Sequence, residues 1–237
     1  MAVLFDLDGT LLDIDGEGFL DAYVDALAAW WLPPDLDAFR QTVMAAAVPI
    51  FADHAGQTNG EVFRTHLAAY LGISPGEVRQ RMTRFHEQGL PSLGIAAHAI
   101  PDARACVTHC LELGLRIAVA TTPIYMPEVI ALRLRWAGLA DLPWDLVTHS
   151  DVMHTCKPHA AYFAETAAQL GLDPRACVMV GDDPLQDGTA RQAGMEVLLR
   201  ETDGTPGWHT LSDVSAALRS ATAGERVADP PLEEGSA

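Results

Sequence analysis

Short apolar runs, each closed by polar or small residues, recur along the chain at Ala2–Phe5, 115–120, 145–148, 176–180 and Glu196–Leu199. They are continuous in Val, Ile, Leu and Ala rather than alternating, the pattern of strands covered on both faces of a parallel sheet. From the second run onward, amphipathic stretches over 101–113, 127–137 and 158–170 separate them. Each opens with a proline and stops at Gly114, Gly138 or Gly171, the usual asymmetry of helix ends. Strand and helix in alternation predict a doubly wound, Rossmann-like α/β sheet.

About a hundred residues separate the first two runs, and this gap carries no strand signal. Phe19, Tyr23, Leu27 and Trp30 or Trp31 recur at helical spacing, as do Phe39, Val43 and Ala47, then Val62, His66 and Tyr70, then Val78, Met82 and Phe85. Ser74-Pro75-Gly76-Glu77 reads as a capping box with proline in the first turn. The expectation is a helical insertion over 14–92, carried by an α/β core made of 1–13 and 93–220. A small, acidic, Pro-rich tail would follow over 221–237. The aromatic and Met stripes are assigned to the core of the insertion, with one ring of Trp30-Trp31 available to a pocket.

Composition narrows the partners. Fifteen Lys and Arg against 32 Asp and Glu give a formal charge of −17, which excludes a broad nucleic-acid or anionic-membrane surface. No stretch has the roughly 18–20 apolar residues of a membrane span. No signal peptide is readable, so a cytoplasmic protein is expected. The four cysteines lack C-x-x-C spacing and read as reduced thiols. His149, His154 and His159 stand five apart, on no common helical face, and predict no zinc site.

Catalytic groups of such sheets gather at the carboxyl ends of the strands. There the chain places Asp6-Leu7-Asp8-Gly9-Thr10, then Thr121-Thr122, then Lys157, then Gly181-Asp182-Asp183-Pro184-Leu185-Gln186-Asp187. Five carboxylates at one rim repel one another unless a cation compensates them. Oxygen-only donors select a hard ion such as Mg²⁺, which also takes phosphate oxygens. One carboxylate can attack phosphorus, and another two residues on can exchange a proton. Lys and Thr suit the charge of a transferring phosphoryl group.

These motifs resemble those of the haloacid dehalogenase superfamily: D-x-D-G-T, a strand-end Thr, a Lys and a G-D-[D/S]-x-x-x-D loop, in family order over most of residues 1–200. The resemblance implies strand order 3-2-1-4-5 and an insertion similar to the family's helical cap of the first type. It implies Asp6 as nucleophile and Asp8 as general acid/base, with the Asp8 carbonyl facing the metal. Thr121 would bind phosphoryl oxygens, and Lys157 would orient and neutralise. Gly9, Thr10 and Thr122 are the remaining substrate-binding candidates. Asp182 is the favoured Mg²⁺ ligand, with Asp183 close behind and Asp187 bracing the loop or Lys157. Thr122-Pro123 departs from the family's usual Asn or Ser.

The implied activity is Mg²⁺-dependent hydrolysis of a small phosphorylated metabolite through an aspartyl-phosphate. A phosphosugar mutase or a non-catalytic phospho-ligand binding protein would use the same residues. Dehalogenation is disfavoured, because that branch lacks the second carboxylate of the first motif. A phospho-acceptor receiver domain is disfavoured by the acceptor on strand one and by the insertion. Glu17, Arg40, Arg64 and His66 are candidate substrate selectors in the insertion.

Overall fold

The computed structural model describes residues 1–52, 54, 56–93, 95–200 and 211–222. Five parallel strands form the central sheet: β1 (Ala2–Phe5), β4 (Arg116–Val119), β5 (Leu146–Val147), β6 (Cys177–Gly181) and β7 (Glu196–Leu199). Their spatial order is β5-β4-β1-β6-β7. Counted along the core alone this is 3-2-1-4-5, as the resemblance implies. All five strands coincide with the apolar runs to within two residues at each end.

β1 lies at the centre, with Phe5 in register with Val119 on one side and Val180 on the other. Its residues alternate between two layers because successive side chains of a strand point to opposite faces. Val3 and Phe5 join the larger core with Ile117, Val119, Val178 and Val180. Ala2 and Leu4 join the second, with Ala118, Met179, Tyr162 and Phe163. Truncating a wholly buried aliphatic such as Leu4 to Ala in such a layer costs about 2–5 kcal/mol.

The helices of the core are α5 (Ala103–Glu112), α6 (Pro127–Trp136), α7 (Ala160–Gln169) and α8 (Leu211–Thr222). Only α6 places its proline at the first helical position; α5 and α7 begin two residues after Pro101 and Pro158. Helix α8 was not expected, and it absorbs the first two residues of the anticipated tail. The rest of that tail, 223–237, lies outside the described residues.

The gap after β1 is helical, with α1 (Gly16–Trp31), α2 (Leu36–Ala47), α3 (Asn59–Leu71) and α4 (Pro75–Gln88). It is not free of strands, contrary to the sequence reading. β2 (Leu12–Ile14) and β3 (Ala97–Ala99) pair antiparallel at its two ends. With three residues each, they are too short to show a periodicity. Helix α1 buries Phe19, Tyr23 and Leu27, and α4 buries Val78, Met82 and Phe85, as their spacing predicts. Helix α3 turns a different face inward, burying Val62, Leu67 and Ala68 and leaving Tyr70 exposed. Trp30 is 39 % exposed rather than core, and Trp31 packs on Phe39. At Ser74 only the hydroxyl half of the capping box forms, accepting from Glu77 N. The reciprocal box is at Thr58 and Glu61, opening α3.

The insertion is seated on the core by polar side chains of α3. The Asn59 amide donates to the carbonyls of Pro123 (3.1 Å) and Thr155 (3.2 Å). Gly60 N donates to Ser150 O, and Arg64 pairs with Asp151 at 2.6 Å. Beside them Tyr23 Oη meets His86 Nε2 at 2.7 Å.

Candidate active site

Because β1 is central, the residue that follows it emerges between the ends of β4 and β6. Asp6 N donates to Val180 O and Ala120 N to Phe5 O, so the ladder holds the chain up to the point where Asp6 leaves the sheet. Thr121, after β4, is fixed through its carbonyl, which accepts from Thr148 Oγ1 and Tyr162 Oη, both at 2.9 Å. Lys157, preceding the cis peptide to Pro158, reaches back under the same rim.

Lys157 Nζ lies 2.7 Å from Asp6 Oδ1 and 2.5 Å from Asp187 Oδ1. Burial, the largest influence on this ammonium, opposes its charge, yet the carboxylates of Asp187 and Asp6 together outweigh it and hold its pKa up. Asp6 is pushed well above the ordinary carboxyl range, first by burial; Lys157 pulls it back and Asp187 adds repulsion. Asp182 is raised by burial too, against the hydrogen bond that it accepts from Thr10.

The acidic loop is organised by Asp187, whose Oδ2 accepts from Asp182 N (3.1 Å) and Asp183 N (3.2 Å). This turn presents the Asp182 carboxylate to Asp6. Thr10 Oγ1 holds Asp182 Oδ1 at 2.9 Å, and Gly9, at φ +83°, passes so close that a Cβ there would lie 2.2 Å from Asp182 Oδ2. Thus Gly9 and Thr10 stand behind Asp182 and support it. Asp183 turns one oxygen back to the N–H groups of Leu185 and Gln186.

Asp6, Asp182 and Asp187 offer carboxylate oxygens within 4.8 Å of one another. This repelling, oxygen-only donor set, with Asp6 and Asp187 buried and Asp182 half-buried, fits a hard divalent cation. The side chains of Asp8 and Asp183 stand outside this trio. They line the adjoining cavity of about 340 Å³, as do Asp6, Thr121, Thr122, Lys157, Asp182 and Asp187.

One residue at this cavity escaped the sequence reading. Arg133 of α6 is 2 % exposed and donates from Nη1 to Asp8 Oδ2 at 2.6 Å. Its guanidinium lies 3.8 Å from the Phe19 ring centroid and 4.4 Å from that of Tyr125. Burial raises the Asp8 pKa, and Arg133 opposes that rise. A signal existed: Arg133 falls in the apolar stripe of Val129, Ile130, Leu134 and Ala137, whereas Arg135 lies off it, exposed. Of the four candidate selectors in the insertion, Glu17 lines the cavity together with Gly16 and Leu20. Arg64 pairs with Asp151, Arg40 pairs with Asp21 and Asp25 on the surface, and His66 lines neither this cavity nor the smaller apolar one beyond Tyr125.

The family of haloacid dehalogenase-like hydrolases matches residues 1–194. The chain is 30 % identical over 217 residues to a probable phosphatase, IndB, of Dickeya dadantii, covering 91 % of this chain and 85 % of the relative. It is 30 % identical over 204 residues to a phosphoglycolate phosphatase of Rhodospirillum rubrum, covering 84 % and 78 %. Among solved structures, a HAD phosphatase from Thermococcus onnurineus superposes with a TM-score of 0.51 at 25 % identity, covering 95 % of this chain and 99 % of that one.

Proposed function

This chain belongs to the haloacid dehalogenase-like hydrolases, and within that family, whose phosphatases it resembles, we propose that it is a Mg²⁺-dependent phosphomonoester hydrolase of small phosphorylated metabolites. The observation that carries this is the rim around Asp6: a carboxylate at the end of the central strand, beside a buried ammonium, two further carboxylates and a cavity. A −17 chain has no general attraction for phosphate, so the affinity has to be local.

Asp6, Asp182 and the Asp8 carbonyl would hold Mg²⁺, with Asp187 bracing the loop around them. Bound there, the ion supplies positive charge for the phosphoryl oxygens. A carboxylate oxygen of Asp6 attacks phosphorus while the bond to the leaving oxygen breaks, giving an aspartyl-phosphate. Asp8 passes a proton to that leaving oxygen, then takes one from the water that hydrolyses the acyl-phosphate, returning Asp6 and releasing phosphate. Lys157 keeps Asp6 oriented and balances the charge. Thr121 and Thr122 face the phosphoryl group, and Glu17 and Leu20 face its leaving group. The cavity of about 340 Å³ suits a metabolite rather than a polymer.

The test is hydrolysis of an aryl phosphate and a panel of sugar, nucleotide and glycolate phosphates, with Mg²⁺ and with chelator. Wild-type turnover that needs Mg²⁺ and disappears in Asp6→Asn, with the fold retained by circular dichroism, is expected. Turnover retained by Asp6→Asn, or none by the wild type on the whole panel, would sink the assignment.

A further inference from the structure

A buried arginine paired with one carboxylate contributes little net stability, because desolvating both ions offsets their attraction. The Arg133–Asp8 pair moreover leaves two buried atoms without a partner, Arg133 Nε and Asp8 Oδ1. In a core that satisfies nearly all its polar groups, such a pair calls for a reason other than stability.

The geometry supplies one. Arg133 pins one oxygen of Asp8, Oδ2, in a side chain that lines the cavity, while Oδ1 is turned away from solvent without a partner. A carboxylate so held keeps one orientation at the cavity wall, fixed by the fork that grips it. Two rings pack against the Arg133 guanidinium at right angles to each other: Tyr125, in the loop before α6, and Phe19 of α1. Phe19 belongs to the insertion, and it also packs edge-on against Tyr125 and Trp136. A continuous chain of contacts therefore runs from Phe19, in the first turn of α1, through Arg133 to Asp8.

We propose that Arg133 is the positioning residue for Asp8, and that Phe19 makes this positioning depend on how the helical insertion is seated. The claim rests on the phosphatase reading above and adds to it the residue that aims the proton-transferring carboxylate. Arg133 reaches the cavity wall only 2 % exposed, its guanidinium covered by two rings and Asp8, so its action is assigned to Asp8 and not to substrate.

Leaving-group dependence tests this. Nitrophenolate leaves without a proton, whereas an alkoxide needs one, so faulty aim of Asp8 is felt by alkyl esters far more than by aryl esters. In Arg133→Lys the charge is kept but the planar, stacked fork is lost. With an alkyl phosphate its kcat/KM, which reports formation of the aspartyl-phosphate and not the later hydrolysis that also uses Asp8, is expected to fall about 100-fold, the lower range for general acid–base catalysis, and with p-nitrophenyl phosphate by about threefold or less. Phe19→Leu should show the same asymmetry at roughly a tenth of the size, and it decides the matter if Arg133→Lys does not fold by urea titration. Equal losses on both esters in the folded variants would overturn the proposal. So would a rise in KM on both esters with kcat unchanged, which would make Arg133 a substrate contact. Failure of the wild type on both esters overturns the phosphatase reading, and this inference with it.

Discussion

Lys157 Nζ sits 2.5 Å from Asp187 Oδ1, with both side chains about 1 % exposed. The same ammonium holds Asp6, so it is the counter-charge of two buried carboxylates at once. Replacing Lys157 by Met removes that charge and leaves both anions in a desolvated rim. Stability in chelator should drop by about 3–5 kcal/mol, read as a lower urea midpoint. Added Mg²⁺ should shrink the deficit. An unchanged midpoint in chelator would contradict this reading of the pair.

Thr10 would act on a bound cation through Asp182. Its wholly buried hydroxyl donates to Asp182 Oδ1, and Thr10→Val removes that bond at nearly constant volume. A lost hydrogen bond to a charged group is worth about 1.5–3 kcal/mol. The Mg²⁺ concentration for half-maximal activity should rise at least about tenfold, with saturated turnover changed much less. An unaltered Mg²⁺ titration would show that Asp182 needs no such support.

Gly181 ends β6 where the Asp187 carboxylate folds back. A Cβ there would stand 2.1 Å from Asp187 Oδ2, the oxygen that gathers the Asp182 and Asp183 amides. Gly181→Ala must therefore displace Asp187 or the strand end, at about 1–3 kcal/mol for overpacking. Activity should fall more than stability suggests, because Lys157 and Asp182 are held by the same carboxylate. A fully active Ala variant would refute this.

Asn59 is a seam residue whose amide serves two core carbonyls, one of them that of Pro123, next to Thr122. Asn59→Ala leaves buried acceptors without their donor. Thermal unfolding should report a loss of about 1–3 kcal/mol. Turnover should fall along with it, since the seam ties the insertion to the carbonyl that follows Thr122. A variant as stable as the wild type would assign the seating to Arg64 and Asp151 instead.

The parallel sheet was legible because strands covered on both faces need continuous apolar runs, and the rim residues could be read off the ends of those runs. Asp6, Thr121, Lys157 and Asp182 come from four distant stretches, yet the sheet order alone suffices to gather them. β2 and β3 were invisible because three-residue strands carry no period and owe their existence to pairing with each other. Arg133 was hidden differently. An arginine in an amphipathic helix is ordinarily placed on its solvated face, and only the phase of Val129, Ile130 and Leu134 marks position 133 as inward. The division of labour among the acidic-loop residues was equally out of reach, since it depends on which amides Asp187 collects.

Leu12–Ile14 and Ala97–Ala99 run side by side, so the polypeptide leaves the core and re-enters it at practically the same place. Whatever lies between is topologically a closed excursion. Its length can change at small cost, because closure entropy grows only slowly with loop size and the ends are already clamped. The sheet and its rim are thus insulated from rewriting of the intervening eighty or so residues.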